Sequence, residues 1–475
     1  MTDKKIPYFI AKAPILFLIV LLSINVVMYN DPIGGSNQLA LLLSGALAAV
    51  IGLYYGSKWK DIIEGISKSV KSVVPAIIML LLIGSLSGTW LISGVIPTMI
   101  YYGLQILNPK IFLFATAIIT AIVSLATGSS WSTIATVGIA LLGIGTAIGL
   151  PLGLIGGAII SGAYFGDKMS PLSDTTNLAP AVAGTDLFTH INHMIWTTGP
   201  SLIITLIIFL FMGINAPDVQ NVAGLELIQN TINNNFNISL ISFFPLIMVF
   251  VLAFKKMPAF PTVLIGALIG GVFAILFQPD VVEKFVGETY LPSFLIKISG
   301  VWTALHSGYA IDTGVPVVDD LLSRGGMSSM LNTIWLVITA LTFGAVLETT
   351  KLLNTIVTVL LSFVKSTSSL IITTIATCIG INIVTADQYI AIVLPGRMFK
   401  TEFKKRKLAP KNLSRTLEDS ATMTSPLVPW NTCGAFMSAS LGIATFSYLP
   451  FCFFNLINPV IAIIYALFNF KIEKI

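Results

Sequence analysis

The sequence predicts an all-α polytopic membrane protein: two inverted-topology repeats with broken helices or re-entrant hairpins, in about 11–13 membrane segments. Three observations carry this expectation. Hydrophobic residues make up 55% of the 475 positions and charged residues only 10%, against roughly 25% charged in an ordinary soluble domain. With a mean hydropathy of +0.91, a soluble fold of this size has too little polar surface to cover itself. Apolar runs recur at the length a membrane span needs, about 20 residues. Polar motifs recur at a nearly constant offset. Disordered, collagen-like and disulfide-scaffold chains are excluded by the same composition. The small net charge of +5 calls for no nucleic-acid partner.

Taken in chain order, Lys4, Lys5 and Lys12 precede an apolar run from Ala13 to Met28 that ends at Asn30-Asp-Pro32. No convincing small-x-small cleavage site follows, so the run reads as a retained first membrane helix. Further span-length segments lie near 36–56, 72–94, 111–127, 131–150, 192–214, 238–254, 259–278, 330–347, 367–384 and 444–468. Shorter apolar pieces at 95–107, 152–165, 352–364, 389–396 and 426–443 fit half-helices or hairpins. Residues 57–71 mix Trp59, Ile62 and Ile63 with lysines, as a membrane-surface helix does.

Basic residues give the expected orientation, because cytoplasmic loops are rich in Lys and Arg. Lys4, Lys5 and Lys12, then Lys58, Lys60, Lys68 and Lys71, mark the inside. So do Lys255 and Lys256, the run from Lys400 to Arg415, and Lys471 with Lys474. Segments 30–36 and 215–236 contain no Lys or Arg and read as external. The resulting organisation is a cytoplasmic tail at 1–12, a first repeat at 13–214, an external linker at 215–237, a second repeat at 238–470 and a cytoplasmic tail at 471–475.

The repeat rests on paired motifs. Leu125-Ala-Thr-Gly-Ser-Ser-Trp131 resembles Ile383-Val-Thr-Ala-Asp-Gln-Tyr389 at an offset of 258. Ser170-Pro-Leu172 matches Ser425-Pro-Leu427 at 255, and Gly65 and Gly84 match Gly325 and Gly344 at 260. The stretch 279–316 is expected not to cross fully. Transporters built from inverted repeats place their site at the repeat interface near the midplane.

The densest polar cluster in apolar sequence is Gly166-Asp-Lys-Met-Ser-Pro-Leu-Ser-Asp-Thr-Thr-Asn177. Pro171 and the preceding glycines disfavour regular helix there, and broken backbone at membrane depth survives only where it lines a cavity or is buried. Its carboxylates, hydroxyls and freed carbonyls are hard oxygen ligands suited to a small cation. The plainer reading makes Ser173 or Asp174 a helix cap. The matching place in the second half is Ser425-Pro-Leu-Val-Pro-Trp-Asn-Thr432. Thr127, Ser129, Ser130 and Ser132 face Thr385, Asp387 and Gln388 as a second pair of breaks. Asp387 has no basic residue nearer in sequence than Arg397, and an intramembrane carboxylate is a functional candidate by default. A capping role at the water boundary, or a pairing with Arg397, is its alternative.

Other residues read more plainly. Glu418 and Asp419 are either surface partners of Arg415 or acids at a helix N-terminus. Glu348 and Lys351 have helix spacing for an ion pair. Asp186, His190 and His193 lie on one helix face but lack a fourth ligand for zinc, and read as polar residues at a helix start. Cys378, Cys433 and Cys452 are scattered in apolar segments and read as small buried side chains. No Gly-x-Ser-x-Gly or His-Glu-x-x-His pattern is present, so the chain does not read as an enzyme. An internal inverted repeat with carboxylates favours a transporter over a channel.

The stretch from Ser161 to Pro180, continuing to about Gly199, resembles the signature region of the NhaC family of Na+/H+ antiporters. Thr385-Ala-Asp-Gln-Tyr389 and Glu418 through Thr432 are similar to that family as well, and the likeness spans nearly the whole chain. The resemblance implies a multi-pass protein of the bacterial cytoplasmic membrane that exports Na+ in exchange for H+ by alternating access. Na+, H+ and membrane lipid would be its partners, with no cofactor beyond the transported ions, and a homodimer is compatible. A carboxylate that holds either a proton or Na+, but not both, couples the two ions. The expected ion-binding residues are Ser173, Asp174, Thr175, Thr176 and Asn177, with Asp387, Asn431, Thr432 and Ser129 from the other breaks. Na+ is expected at Asp174 and Asp387. Asp167, which would either relay protons or pair with Lys168, and Asp419 are the expected relay groups. The alternative is a Na+-malate/H+-lactate type carboxylate antiporter; Lys168 is the only lysine in the cluster to greet an organic anion.

Overall fold

The computed structural model describes residues 6–29, 35–106, 108–215, 222–255, 257–287, 290–362 and 364–475. Lys4, Lys5, Lys256 and, of the expected external segments 30–36 and 215–236, residues 30–34 and 216–221 lie outside the described residues. The first part of the chain runs through α1 (Tyr8–Tyr29), α2 (Gly35–Tyr54), α3 (Trp59–Ile92) and α4 (Val95–Ile106). Next come α5 (Phe112–Thr127), α6 (Ser130–Thr133), a π turn at Ile134–Gly138, α7 (Ile139–Ala147), α8 (Leu152–Met169), α9 (Asp174–Ala183) and α10 (Leu187–Ile214). The middle holds α11 (Val222–Asn235) and α12 (Phe244–Phe254). The remainder runs through α13 (Ala259–Phe277), α14 (Pro279–Val286), α15 (Ser293–His306), α16 (Pro316–Leu322), α17 (Leu331–Thr349) and α18 (Leu352–Ser362). It ends with α19 (Thr367–Thr385), α20 (Gln388–Lys405), α21 (Pro410–Leu417), a π turn at Glu418–Thr422, α22 (Thr432–Leu441), α23 (Thr445–Tyr448) and α24 (Phe453–Leu467). Among the described residues nine helices are long and apolar enough to cross a membrane, or eleven if two sharply bent pairs each count as one span. The protein is a multi-pass α-helical membrane protein.

The helices recur. α6 to α7 spans 130–147 and α20 spans 388–405, an offset of 258 at both ends. α9 and α22 are both ten residues long at the same offset, and α8 begins 258 positions before α21. Even the joints match: Gly128 and Ala386 both leave a helix in the left-handed conformation, with φ of 71° and 58°. The matching helices α5 and α19 start at different faces. α5 starts beside the end of α10, where Gly213 lies against the Lys110 carbonyl. α19 starts at the other face, where Arg406 donates to the carbonyls of Val364 and Lys365. α10, at 28 residues, is about 42 Å long and separates those faces.

One face collects most of the positive charge. Lys400 donates to the carbonyl of Val182 there, and the amide of Ala409 donates to the carbonyl of Glu473. Lys411 sits 2.5 Å from Glu473; this ammonium holds the Glu473 carboxyl below the usual carboxylate range. The start of α3 packs against the end of α17, Gly65 on Thr349 and Gly52 on Thr350. The basic clusters at 400–415 and 471–474 lie together.

Two local expectations need correction. Residues 57–71 are not a separate surface helix: α3 is continuous over 34 residues, and its amphipathic first third simply extends beyond the apolar part. The polar cluster is also less broken than its glycines imply. α8 continues through Gly166, Asp167 and Lys168, and only Ser170–Ser173 leaves the helix. The glycines serve close packing. A Cβ at Gly162 would meet the Ala117 carbonyl, and one at Gly166 the Ala121 carbonyl, both on α5. Ser124 Oγ on α5 donates to the Ala163 carbonyl at 2.6 Å across this contact. Gly166→Leu is expected to destabilise the protein by about 1–3 kcal/mol through overpacking. Gly199→Leu on α10, where a Cβ meets nothing within 4 Å, should change stability by less than about 0.5 kcal/mol. Thermal unfolding in detergent compares the two.

Candidate functional site

The site is built where helices break. Ser129 is the N-cap of α6 and accepts from the Ser132 amide at 3.2 Å. Asp387 is the N-cap of α20 and accepts from the Ile390 amide at 2.8 Å. Ser173 caps α9, and Asn431 caps α22 by accepting from the Cys433 amide at 3.0 Å. The amide of Thr432 donates to the Ala386 carbonyl at 2.9 Å, which joins the two breaks of the second half. Four helix N-termini, two from each half, thus converge. Asp167, near the end of α8, closes the set: its Oδ2 accepts from Ser130 Oγ at 2.6 Å and Ser130 N at 3.1 Å.

These breaks line one cavity of about 1530 Å3. Asp61, Glu64 and Lys68 of α3 and Arg397 of α20 stand on its wall toward the basic face. Deeper lie Thr127, Ser129, Asp167, Ser173, Asp174, Thr175, Asp387 and Thr432. Asp387 is only 3% exposed, while Asp174 opens into the cavity from the first turn of α9.

The sequence-derived residues therefore divide. Ser129, Ser173, Asp174, Thr175, Asp387, Thr432 and Asp167 share the cavity. Thr176, Asn177 and Asn431 instead hold backbone. Thr176 Oγ1 donates to the carbonyls of Asp167 and Lys168 at 3.2 and 3.0 Å. Asn177 Nδ2 donates to the carbonyls of Pro171 and Ser173. Asn431 Nδ2 donates to the Asn382 carbonyl at 3.2 Å and to its side-chain Oδ1 at 3.1 Å. Asp419 lies apart, sealed in the protein with Lys168 at 2.5 Å.

That pair replaces two expectations. Lys168 does not pair with Asp167, because neighbours on a helix do not face one another. Asp167 turns to the cavity and Lys168 away from it, to Asp419 and to Asn458 Oδ1 at 2.9 Å. Glu418 and Asp419 are neither surface partners nor helix-start acids; both are fully buried in the π turn. Arg415 approaches Asp419 at 3.9 Å, and Thr197 Oγ1 donates to it at 2.9 Å. Sequence reasoning missed this cluster, since 251 positions separate Lys168 from Asp419 and only the four-residue step from Arg415 hinted at it. It also undervalued Cys433, which lines the cavity and donates to Gln388 Oε1 at 2.6 Å. Asp186 caps α10, and His190 bonds Ser414 Oγ at 2.8 Å, so these residues do separate structural jobs.

Residues 162–470 match the model of the Na+/H+ antiporter family. The Na+/H+ antiporter NhaC of Alkalihalophilus pseudofirmus is 36% identical over 437 residues, covering 92% of this chain and 91% of that one. The malate-2H+/Na+-lactate antiporter of Bacillus subtilis is 34% identical, with 98% and 96% covered. The arginine/ornithine antiporter ArcD of Halobacterium salinarum is also 34% identical, with 99% and 93% covered. Family model and near-full-length relatives agree with the motifs at the breaks: the chain belongs to the NhaC-type Na+/H+ antiporter family.

Proposed function

We propose that this protein exports Na+ in exchange for H+ across a bacterial cytoplasmic membrane, by alternating access between two inverted repeats. The observation that carries the reading is the single cavity in which Asp174 and Asp387, one from each half, meet the hydroxyls of Ser129, Ser173, Thr175 and Thr432. Na+ binds the ionised carboxylates; a proton on the same group excludes it. Asp167 passes protons between the cavity water and the site. The cavity opens to the basic face, which is the cytoplasmic face by the excess of Lys and Arg there. In that orientation both termini lie inside, and the present conformation loads Na+ from the cytoplasm.

The relatives that carry organic substrates make a carboxylate antiporter the second reading, and Arg397 and Lys68 on the cavity wall favour it. Reconstituted vesicles with an imposed pH gradient separate the two. Na+ alone should dissipate the gradient under our reading. A requirement for malate or lactate would establish the second. The orientation has its own test: a cysteine at position 405 should be labelled by an impermeant maleimide in inverted vesicles, and labelling in intact cells would reverse the topology.

A further inference from the structure

We propose that the start of α3 and the end of α20 form the gate that closes the cavity toward the basic face, with Arg397 pairing with Glu64 and Ile63 seating on Thr401. The inference rests on the alternating-access reading above. It comes from comparing the two halves of the chain at the offset of 258 at which their helices recur.

At one end of the molecule the elements in question already touch. α7 ends beside the start of α5, where a Cβ at Gly145 would meet the Phe112 ring. α4 and α16 both lie against α7. A Cβ at Gly143 would stand 2.7 Å from Ile100 Cδ1 and 3.9 Å from Leu321 Cδ2, and one at Gly103 would meet Ile144. Ile139, Leu321 and Leu322 are buried. Apolar side chains packed at van der Waals distance leave no room for a hydrated ion, so this end is sealed.

At the other end the equivalent residues flank the cavity. α20 turns back to the basic face, where Arg406 donates to the carbonyls of Val364 and Lys365 just before α19. Leu321 and Leu322 correspond to Ile63 and Glu64 on α3, and Ile139 and Gly143 to Arg397 and Thr401 on α20. All four of these equivalents are exposed. Glu64 and Arg397 line the same cavity, and among the described residues neither has an ion-pair or hydrogen-bond partner.

The same places are thus packed in one half and open in the other. Two halves that hold the same elements in different arrangements are what alternating access needs: exchanging the arrangements closes this mouth and opens the opposite one. In the closed arrangement Ile63 meets α20 at Thr401 as Leu321 now meets α7 at Gly143. Glu64 and Arg397 then occupy the places of the buried Leu322 and Ile139. Burying two such charges is costly unless they pair, and their signs are opposite. Asp61, one turn before Glu64 on the same wall, adds to the acidic surface that the guanidinium approaches.

Full-length Ile63→Cys/Thr401→Cys protein in membrane vesicles tests the geometry. Oxidation should join the two positions, read as a disulfide-linked peptide by mass spectrometry, and stop exchange; dithiothreitol should restore it. Charge reversal tests the pair. Glu64→Arg and Arg397→Glu should each slow exchange about tenfold or more, because like charges then face one another across the gate. Glu64→Arg/Arg397→Glu should recover to within about threefold of wild type. No cross-link under oxidation or with a short bis-maleimide, or a cross-linked protein that still exchanges, overturns the proposal. So does a double reversal as slow as either single one, which would make Arg397 an anchor for an organic anion instead. Wild-type vesicles in which Na+ leaves an imposed pH gradient untouched remove the exchange reading itself; the cross-link, read without transport, then still decides the gate.

Discussion

Asp387→Asn is expected to leave the protein folded in the membrane and to reduce Na+/H+ exchange at least a hundredfold. The substitution is nearly isosteric. Asp387 caps α20 through the Ile390 amide, and asparagine caps a helix about as well as aspartate. The cap therefore survives, and so does the left-handed turn at Ala386. What is lost is a carboxylate that is 3% exposed and stands at the cavity between two halves of the molecule. An amide can neither take up the proton nor supply the charge that Na+ needs. Asp387→Ala removes charge and cap together and should add about 1 kcal/mol of destabilisation. Exchange rates in vesicles and unfolding midpoints in detergent separate these outcomes. Unimpaired exchange by Asp387→Asn across a wide pH range would reduce Asp387 to a helix cap.

The second large effect concerns stability. Lys168→Met should destabilise the protein by about 3–5 kcal/mol, because it leaves Asp419 buried with only the more distant Arg415 to balance it. Lys168→Met combined with Asp419→Leu should recover a large part of that loss, since an apolar pair of similar volume has no charge to desolvate. The comparison is a double-mutant cycle read by thermal unfolding in detergent. A double variant less stable than either single one would mean that the pair holds more than itself, through Asn458 and Thr197.

The spans were legible because their apolar length is a local property, and paired motifs at offsets of 258, 255 and 260 foreshadowed the helix lengths that recur at 258. Asp387, Asp174 and Ser129 were legible as candidates because polar residues in apolar breaks have few bland explanations. Two things were not. The glycines of α8 read as helix breakers, while in the folded protein they are the small residues that let α5 and the α23 region approach. That distinction depends on which helix lies opposite, a fact held far away in the chain. Nor does any local spacing announce the Lys168–Asp419 pair, whose partners come from different halves. Thr176, Asn177 and Asn431 show the converse: their residue types fit cation ligands, but their hydrogen bonds go to the backbone and neighbouring amides that shape the breaks.

The most direct test of the central claim is Na+ affinity measured against pH, at fixed ionic strength, for wild type and Asp174→Asn. If Na+ and H+ share the cavity carboxyls, wild-type affinity weakens at least tenfold for each unit that pH falls below the point where they ionise, because protonation removes the form that binds Na+. Asp174→Asn should bind Na+ weakly and with a shallower dependence on pH. Wild-type affinity that is the same at every pH would contradict a carboxylate shared between Na+ and H+.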